Sequence, residues 1–260
     1  MAEMIHAMHN ASASEIWLQC SLYYHFKKDA YAKDEVVWDT AGKAAERGKI
    51  QHDIAEHALP LCLEGVEIPD AVGIAVRKVR RKVSPDEVEN VRIAMGATLA
   101  LITEGMHIEV ERAVPLSHEP GSNGYIDVAG YAEKYILVLD YKFGQMAVSP
   151  NSSQLKLYAA NLITLLREES NLGSRTHARL AIVQPQLHTE AIVRTYTVEE
   201  LTAFQHHVEA VVLNQTEGHD RRGAGSLKTC TWCPQRKRGC YHRTNLVGSM
   251  LRDLDRKSVV

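Results

Sequence analysis

Four parts of the chain have patterns of hydrophobic and polar positions that predict β-strands. In "GYIDVAGYAEKYILVLDYKFG" (124–144), two largely apolar arms flank Glu133-Lys134, which predicts a β-hairpin. Both faces of the second arm are apolar, so we expect a central strand whose polar end lies at a cleft. The remaining predicted strands are "MHIEVERAVPL" (106–116), "HARLAIVQP" (177–185) and "AIVRTYTV" (191–198).

Helical segments are interspersed with these strands. The segment 84–105 starts with a capping box formed by Ser84 and Glu87, and Gly105 is its predicted terminator. A second capping box predicts that a helix over 12–26 starts at Ser12. Further helices are predicted at 40–59, at 152–169 and from about residue 198. This order of elements predicts an α/β or α+β fold in which a sheet packs against helices.

Three charged residues interrupt the apolar hairpin. With Glu133-Lys134 as a two-residue turn, Asp127 lies directly opposite Asp140, and Lys142 shares the Asp140 face. Burial of a charge is costly unless the charge is paired or binds a metal. A divalent cation such as Mg²⁺ would relieve the repulsion between the carboxylates. The alternative is that both acids end their strands in solvent and Lys142 pairs with one of them.

The charge balance gives no overall attraction to nucleic acid, because the 260-residue chain has a net charge of −2 with His neutral. Basic residues do cluster locally. Such runs are usually solvated faces, and each alone is weak support for a phosphate-binding patch. The clusters lie at 77–82, 221–222 and 235–243.

Several features indicate a soluble intracellular protein. No apolar run reaches the ~18 residues of a membrane span, and "MAEMIHAMHN" lacks the apolar centre of a signal peptide. Five cysteines, an odd number, argue against a secreted disulfide framework. We therefore expect a cytoplasmic protein without membrane partners.

The cysteines predict a metal site. The motif "CTWCPQRKRGC" (230–240) has C-x2-C-x6-C spacing, which allows its thiolates to bind one metal centre. The fourth ligand would be Cys20 or His242. Three Cys with His would indicate zinc, whereas four Cys could hold zinc or a [4Fe–4S] cluster. Cys62, among apolar residues, is expected to be an ordinary buried thiol.

An ordered set of motifs runs from about residue 12 to residue 242. The set resembles the RecB-like nucleases of the PD-(D/E)xK superfamily, particularly their iron–sulfur members. Those members include the small CRISPR-adaptation nucleases and a group of phage and prophage proteins. The matching motifs are "RGKIQH" with His52, "GYIDV" with Asp127, "LDYK" with Asp140 and Lys142, "QLKLYA" with Gln154 and Tyr158, the early Cys20, and the late Cys230, Cys233 and Cys240.

The resemblance implies a role for each matching residue. It implies a site for one or two Mg²⁺ or Mn²⁺ ions, held by His52, Asp127, Asp140 and the backbone carbonyl of Tyr141. Lys142 would be the catalytic lysine. The remaining implied roles are phosphate binding near a helix N-terminus by Gln154, placement of the DNA strand or of Lys142 by Tyr158, and an iron–sulfur cluster on Cys20, Cys230, Cys233 and Cys240. Some members use a further glutamate, for which Glu109 and Glu111 are both candidates.

The fold implied by the resemblance is a PD-(D/E)xK core, a mixed sheet flanked by helices. One nuclease domain would span 1–260, with its core at about 40–215 and an iron–sulfur lobe from about 12–30 and 226–245. The implied activity is a metal-dependent DNA nuclease, most simply an exonuclease in phage or bacterial recombination, repair or processing. Implied partners are single-stranded DNA or duplex ends, with a recombinase, single-strand-binding protein or helicase.

Two other classes of function are compatible with the residues. One is a DNA-binding recombination module whose nuclease site is vestigial, which a cleavage assay separates from an active enzyme. The other is a zinc-stabilised interaction protein. A UV–visible spectrum separates the metals, because iron–sulfur clusters absorb near ~400 nm and Zn²⁺ is spectroscopically silent.

Overall fold

The structure is a computed structural model, and it describes residues 8–32, 42–220, 222–223, 227–230, 233, 239–245 and 247. The basic positions 221 and 236–238, together with positions 1–7 of the N-terminus, lie outside the described residues. The chain divides into two compact units. The sheet unit comprises Ala41–Leu116 and Asn123–Gln205, and the cysteine unit comprises Met1–Thr40, Ser117–Ser122 and His206–Val260.

The sheet unit is built on a mixed sheet. The described residues form five strands in the order β1-β2-β3-β4-β5, with β3 and β4 parallel and the other neighbours antiparallel. The fold is therefore mixed α/β. β3 is central, as predicted from its two apolar faces, and all but its first residue are buried. The strands are β1 (His107–Pro115), β2 (Asn123–Tyr131), β3 (Tyr135–Tyr141), β4 (His177–Val183) and β5 (Ile192–Thr197).

The predicted register of the β2–β3 hairpin is confirmed. The ladder from Tyr131–Ile136 to Val128–Leu139 has the predicted partners. The Ala132 N–H donates to the Tyr135 carbonyl at 3.0 Å, which closes the two-residue turn at Glu133-Lys134. The next position in this register is Asp127 opposite Asp140, where the ladder ends.

Helices α3, α4 and α5 contribute to the core of the sheet unit. Buried residues of these helices form one apolar cluster with Val128, Leu137 and Leu139 of the sheet. The cluster residues on β3 have odd numbers, so they occupy the face opposite Asp140. Helix α6 lies on the Asp140 face, where Gln154 contacts Asp140. The helices are α3 (Lys43–Leu63), α4 (Ile68–Val79), α5 (Pro85–Leu99) and α6 (Ser153–Glu168).

The helix signals were correct at some ends and wrong at others. The capping box of Ser84 and Glu87 is present at the start of α5. The helix does not reach Gly105, since α5 ends at Leu99 and a turn follows it. The sequence analysis did not predict α4, whose start is marked by Pro69 in its first turn.

The cysteine unit begins with short helical pieces. The predicted capping box at Ser12 is wrong, because Ser12 lies within a 3-10 helix (Ala11–Ala13) that precedes α1 (Ser14–Trp17). The predicted continuous helix is interrupted before α2 (Ser21–Ala32), and Cys20 lies at this interruption. Helix α7 (Val198–Thr216) contains the boundary between the units, and α8 is Leu227–Cys230. Among the described helices, none combines the length and apolarity needed to cross a membrane.

Candidate functional site

A network of polar side chains surrounds the buried end of β3. Asp140 is 5 % exposed, and Lys142 places its Nζ 2.7 Å from the Asp140 Oδ2. Lys142 also donates to the Gln154 Oε1 at 3.3 Å, and the Gln154 Nε2 donates to the Asp140 Oδ1 at 3.4 Å. Gln154, in the first turn of α6, therefore bridges Asp140 and Lys142. Its amide also donates to the hydroxyl of Tyr158, one turn along the helix, at 3.2 Å.

Asp127 links the neighbouring strand to this network. Its Oδ2 accepts a 2.6 Å hydrogen bond from the backbone N–H of Tyr141, so the carboxylate occupies the place of a ladder partner. His52, from the middle of α3, places its Nδ1 3.5 Å from the same oxygen. Phe143 packs edge-on against the imidazole with ring centroids 5.2 Å apart. The packed ring limits the orientations available to His52.

Steric crowding explains why a glycine, Gly124, begins the motif "GYIDV". A Cβ at Gly124 would lie 2.6 Å from the Tyr158 Cε1, closer than side chains tolerate. The absence of a side chain thus allows the Tyr158 ring to pack against β2. Burial raises the pKa of Tyr158, so its phenol stays protonated and can serve as a hydrogen-bond partner.

The structure separates the two candidate glutamates on β1. Glu109 accepts a 2.7 Å hydrogen bond from the Tyr131 hydroxyl and pairs with Arg112, away from Asp127. Glu111 has a left-handed backbone, with φ +51°, which is rare outside glycine. This conformation breaks the alternation of side chains along β1. Glu111 consequently interacts electrostatically with Asp127 and His52, and it is the glutamate that joins the site.

The site is strongly acidic for its degree of burial. Burial raises the pKa of Asp140 to about 6, opposed by the Lys142 charge and aided by Asp127. Burial also raises the pKa of Glu111 to about 7, and repulsion from Asp127 adds to this effect. For His52, burial lowers the pKa, but the hydrogen bond and charge of Asp127 outweigh burial, so the net shift is upward. All three shifts indicate that a positive charge placed among the acids would be favourable.

The residues fit a hard divalent cation by their chemistry. The Asp140 Oδ2 is buried, and no described donor meets it at a hydrogen-bonding angle, although the Lys142 ammonium is close. Carboxylate oxygens from Asp127, Asp140 and Glu111, with the His52 imidazole, form a donor set suited to Mg²⁺ or Mn²⁺. Within the described part of the chain, no group of three or more His, Cys, Asp or Glu side chains has an arrangement that could hold a metal ion. The Tyr141 N–H donates to the Asp127 Oδ2, and the Lys142 ammonium lies beside the Asp140 Oδ2.

The cysteine unit brings the four predicted cluster cysteines to one pocket. The Cys233 N–H donates to the Cys230 carbonyl at 3.2 Å, which turns the chain between the paired thiols. Burial raises the pKa of Cys230. The lining includes Cys20, Cys230, Cys233, Cys240 and also His242, so both candidate fourth ligands lie there. Cys62 is half-buried on α3 of the sheet unit.

A sequence comparison identifies the family. The family described as "Protein of unknown function (DUF2800)" matches residues 6–258. The chain belongs to the DUF2800 family. The hairpin acids and the cysteines of this DUF2800 protein all lie within the matched region. None of the curated proteins compared with it has a significant sequence match.

One solved structure resembles this DUF2800 protein weakly. It is described as "Crystal structure of SSO0001" and has 13 % sequence identity and a TM-score of 0.28. The similarity covers 72 % of this chain and 82 % of that chain. A similarity of this size carries no argument about fold or activity.

Sequence analysis missed one contact that orients the site of this DUF2800 protein. The Tyr141 hydroxyl lies 3.0 Å from the Thr98 hydroxyl, and this contact anchors the end of β3 to α5. The only sequence signal was a polar residue on an otherwise apolar stretch of α5. No local sequence pattern indicated the orientation of Glu111, because its left-handed backbone conformation is unusual for glutamate.

Proposed function

We propose that this DUF2800 protein is a metal-dependent deoxyribonuclease of the PD-(D/E)xK type, acting as an exonuclease in phage or bacterial DNA recombination, repair or processing. One observation carries the proposal. His52, Asp127, Asp140, Lys142, Gln154 and Tyr158, which come from four separate elements, meet at the end of β3. A purely structural role would not require this buried excess of acid beside a lysine, since unpaired buried charge destabilises the fold.

The acids and His52 would hold the metal in this proposal. His52, Asp127, Asp140 and Glu111 are the side chains in reach, and the Tyr141 carbonyl is a further candidate ligand. Bound Mg²⁺ or Mn²⁺ would polarise the scissile phosphate and lower the pKa of a coordinated water. Asp127 and Asp140 lie on adjacent strands directly after the last ladder pair, Val128–Leu139, which keeps them close together.

Lys142 would act on the reacting groups. Its ammonium is 26 % exposed, so it can reach a phosphate at the surface while Asp140 holds it in place. It would orient the attacking water and stabilise the negative charge that develops on the phosphate. Gln154 fixes both Asp140 and Lys142, and the N–H groups at the start of α6 favour a bound phosphate.

The cysteine pocket supports a second part of the proposal. Cys20, Cys230, Cys233 and Cys240 would hold a [4Fe–4S] cluster with a structural role, tying the N-terminal and C-terminal segments together as a lobe. Zinc remains the alternative, because His242 also lines the pocket. The proposed location is the cytoplasm, and the proposed partners are DNA ends or single strands with a recombinase, single-strand-binding protein or helicase.

Cleavage of labelled DNA tests the function. Single- and double-stranded DNA labelled at one end is incubated with the anaerobically purified protein in Mg²⁺, Mn²⁺ or EDTA. We expect stepwise shortening with either metal and none in EDTA. Asp127→Asn should abolish cleavage, whereas Glu109→Gln, which removes an acid of the neighbouring strand β1 outside the site, should retain it. Cleavage by Asp127→Asn at the normal rate, or none by the unaltered protein, would contradict the proposal.

A further inference from the structure

A strongly basic patch lies at the end of α4. The side chains of Arg77, Lys78, Arg80, Arg81 and Lys82 are all exposed. None of the five forms an ion pair within the described residues. The neighbouring acids Glu87 and Glu89 pair with other cations, Arg47 and Arg92. The patch therefore presents, among the described residues, five positive charges without an ion-pair partner along six residues of chain.

Helix stability accounts for only part of this charge. Arg77 and Lys78 lie in the last turn of α4, where cations interact favourably with the helix dipole. Arg80 is different, because it has a left-handed conformation (φ 50°, ψ 31°) at a position where glycine is preferred. An arginine there strains the backbone without any described contact that would offset the strain. Strain of this kind is often associated with a functional surface.

The patch at the end of α4 lies level with the middle of α3, where His52 is located. Helices α3 and α4 are joined by a short loop, so they run antiparallel. His52 lies about 17 Å before the end of α3, and Val79 lies about 17 Å after the start of α4. The two residues are therefore equally distant from the loop that joins the helices. Ser84, which follows the basic patch in the chain, also contacts α3, because Arg47 donates to the Ser84 hydroxyl at 3.1 Å.

We propose that this patch binds the phosphate backbone of a DNA strand whose scissile phosphate lies at the Asp127–Asp140–Lys142 site. The proposal rests on the proposed nuclease function. Arginine and lysine without acidic partners are the side chains that contact phosphates in nucleic-acid interfaces. Acids dominate the site, so a strand approaching it is repelled unless a nearby cationic surface holds its backbone.

Salt-dependent DNA binding tests the patch. Affinity for a fluorescent 20-nucleotide DNA is measured in EDTA between 50 and 200 mM salt. For Arg80→Ser/Arg81→Ser/Lys82→Ser, the slope of log affinity against log salt should fall by about 2 to 3. Arg81→Ser should lower it by about 1. The matched control is Lys134→Ser, which removes one exposed charge from the hairpin turn at the other end of β3, and it should leave the slope unchanged.

A glycine variant separates binding from folding. Arg80→Gly removes a charge and also the left-handed strain, so its melting temperature should be no lower than normal while DNA binding weakens. Hydrolysis of bis(p-nitrophenyl) phosphate with Mn²⁺, which needs no backbone contact, should be unchanged in all patch variants. Unchanged DNA binding by the triple variant, an equal loss in Lys134→Ser, or slower hydrolysis of the small diester would each overturn the proposal.

Two further outcomes distinguish the proposals from each other. If the unaltered protein hydrolyses neither DNA nor the small diester but the patch variants still lose DNA binding, the patch stands and the nuclease function fails. Binding to vesicles of anionic phospholipid is the second comparison. Tighter binding of the patch to such vesicles than to DNA would assign it to a membrane surface and overturn the DNA assignment.

Discussion

Asp140 should reduce the stability of the metal-free protein at neutral pH. Its carboxyl group is 5 % exposed, and burial raises its pKa to about 6. The folded state therefore binds the Asp140 proton more tightly than the unfolded state does. The contribution of the Asp140 carboxyl to stability is greatest at low pH and is lost as pH rises through the interval from about 4 to 6. Asp140→Asn, which has the same shape without the charge, should be more stable at pH 7.

The expected gain in the free energy of unfolding follows from the raised pKa of Asp140. A rise of about two pKa units corresponds to about 3 kcal/mol, which is the upper limit of the effect at pH 7. Asp140→Asn also deprives Lys142 of its partner, but the lysine is 26 % exposed and water can solvate its ammonium. The Asn carbonyl can still accept from the Gln154 amide. We therefore expect a net gain of about 1–3 kcal/mol in the absence of metal.

Chemical denaturation in EDTA at pH 5 and pH 7 measures this difference. The variant should be the more stable protein at pH 7, and the difference should shrink at pH 5. Mn²⁺ at a thousand times its dissociation constant should reverse the order, because the unaltered protein then gains about 4.1 kcal/mol, more than the advantage of the variant. Glu104→Gln, at an exposed acid in the turn before β1, is the control and should change stability by no more than about 0.5 kcal/mol. An Asp140→Asn variant that is less stable than normal in EDTA at pH 7 would refute the reasoning.

The remaining predictions address other parts of the two units. Lys142→Ala should still bind Mn²⁺ and DNA in equilibrium measurements but should cleave at least about a hundredfold more slowly; loss of metal instead would make the lysine structural. Glu111→Gln should weaken Mn²⁺ binding at least about tenfold by calorimetry, whereas Glu109→Gln should leave it unchanged; equal effects would contradict the assignment. Cys20→Ala should lower the iron content, and it should lower the free energy of unfolding by up to about 4–5 kcal/mol because it opens a very long loop. Cys62→Ala should change the iron content little. Full iron content in the Cys20 variant would favour zinc with His242.

Local patterns in the sequence were sufficient for the hairpin and one helix start. With Glu133-Lys134 taken as a two-residue turn, the pairing of the two arms could be counted outward from the turn, and the β2–β3 ladder has this register. The Ser84 capping box was also predictable, because its partners lie three residues apart. The same kind of signal failed at Ser12. There the chain forms a 3-10 helix, and α1 starts two residues later with Ala13 rather than Ser12 at its N-cap.

Only the tertiary structure decided how distant segments meet. Sequence spacing could not choose between Glu109 and Glu111, because regular alternation puts both on one face, and a left-handed residue on β1 separates them. It could not place the basic residues of 77–82 level with His52, because α4 was not predicted. It left the fourth ligand open between Cys20 and His242, and both line the pocket. Local alternation and capping depend on residues a few positions apart, whereas these arrangements depend on contacts between segments distant in the chain, which no local pattern encodes.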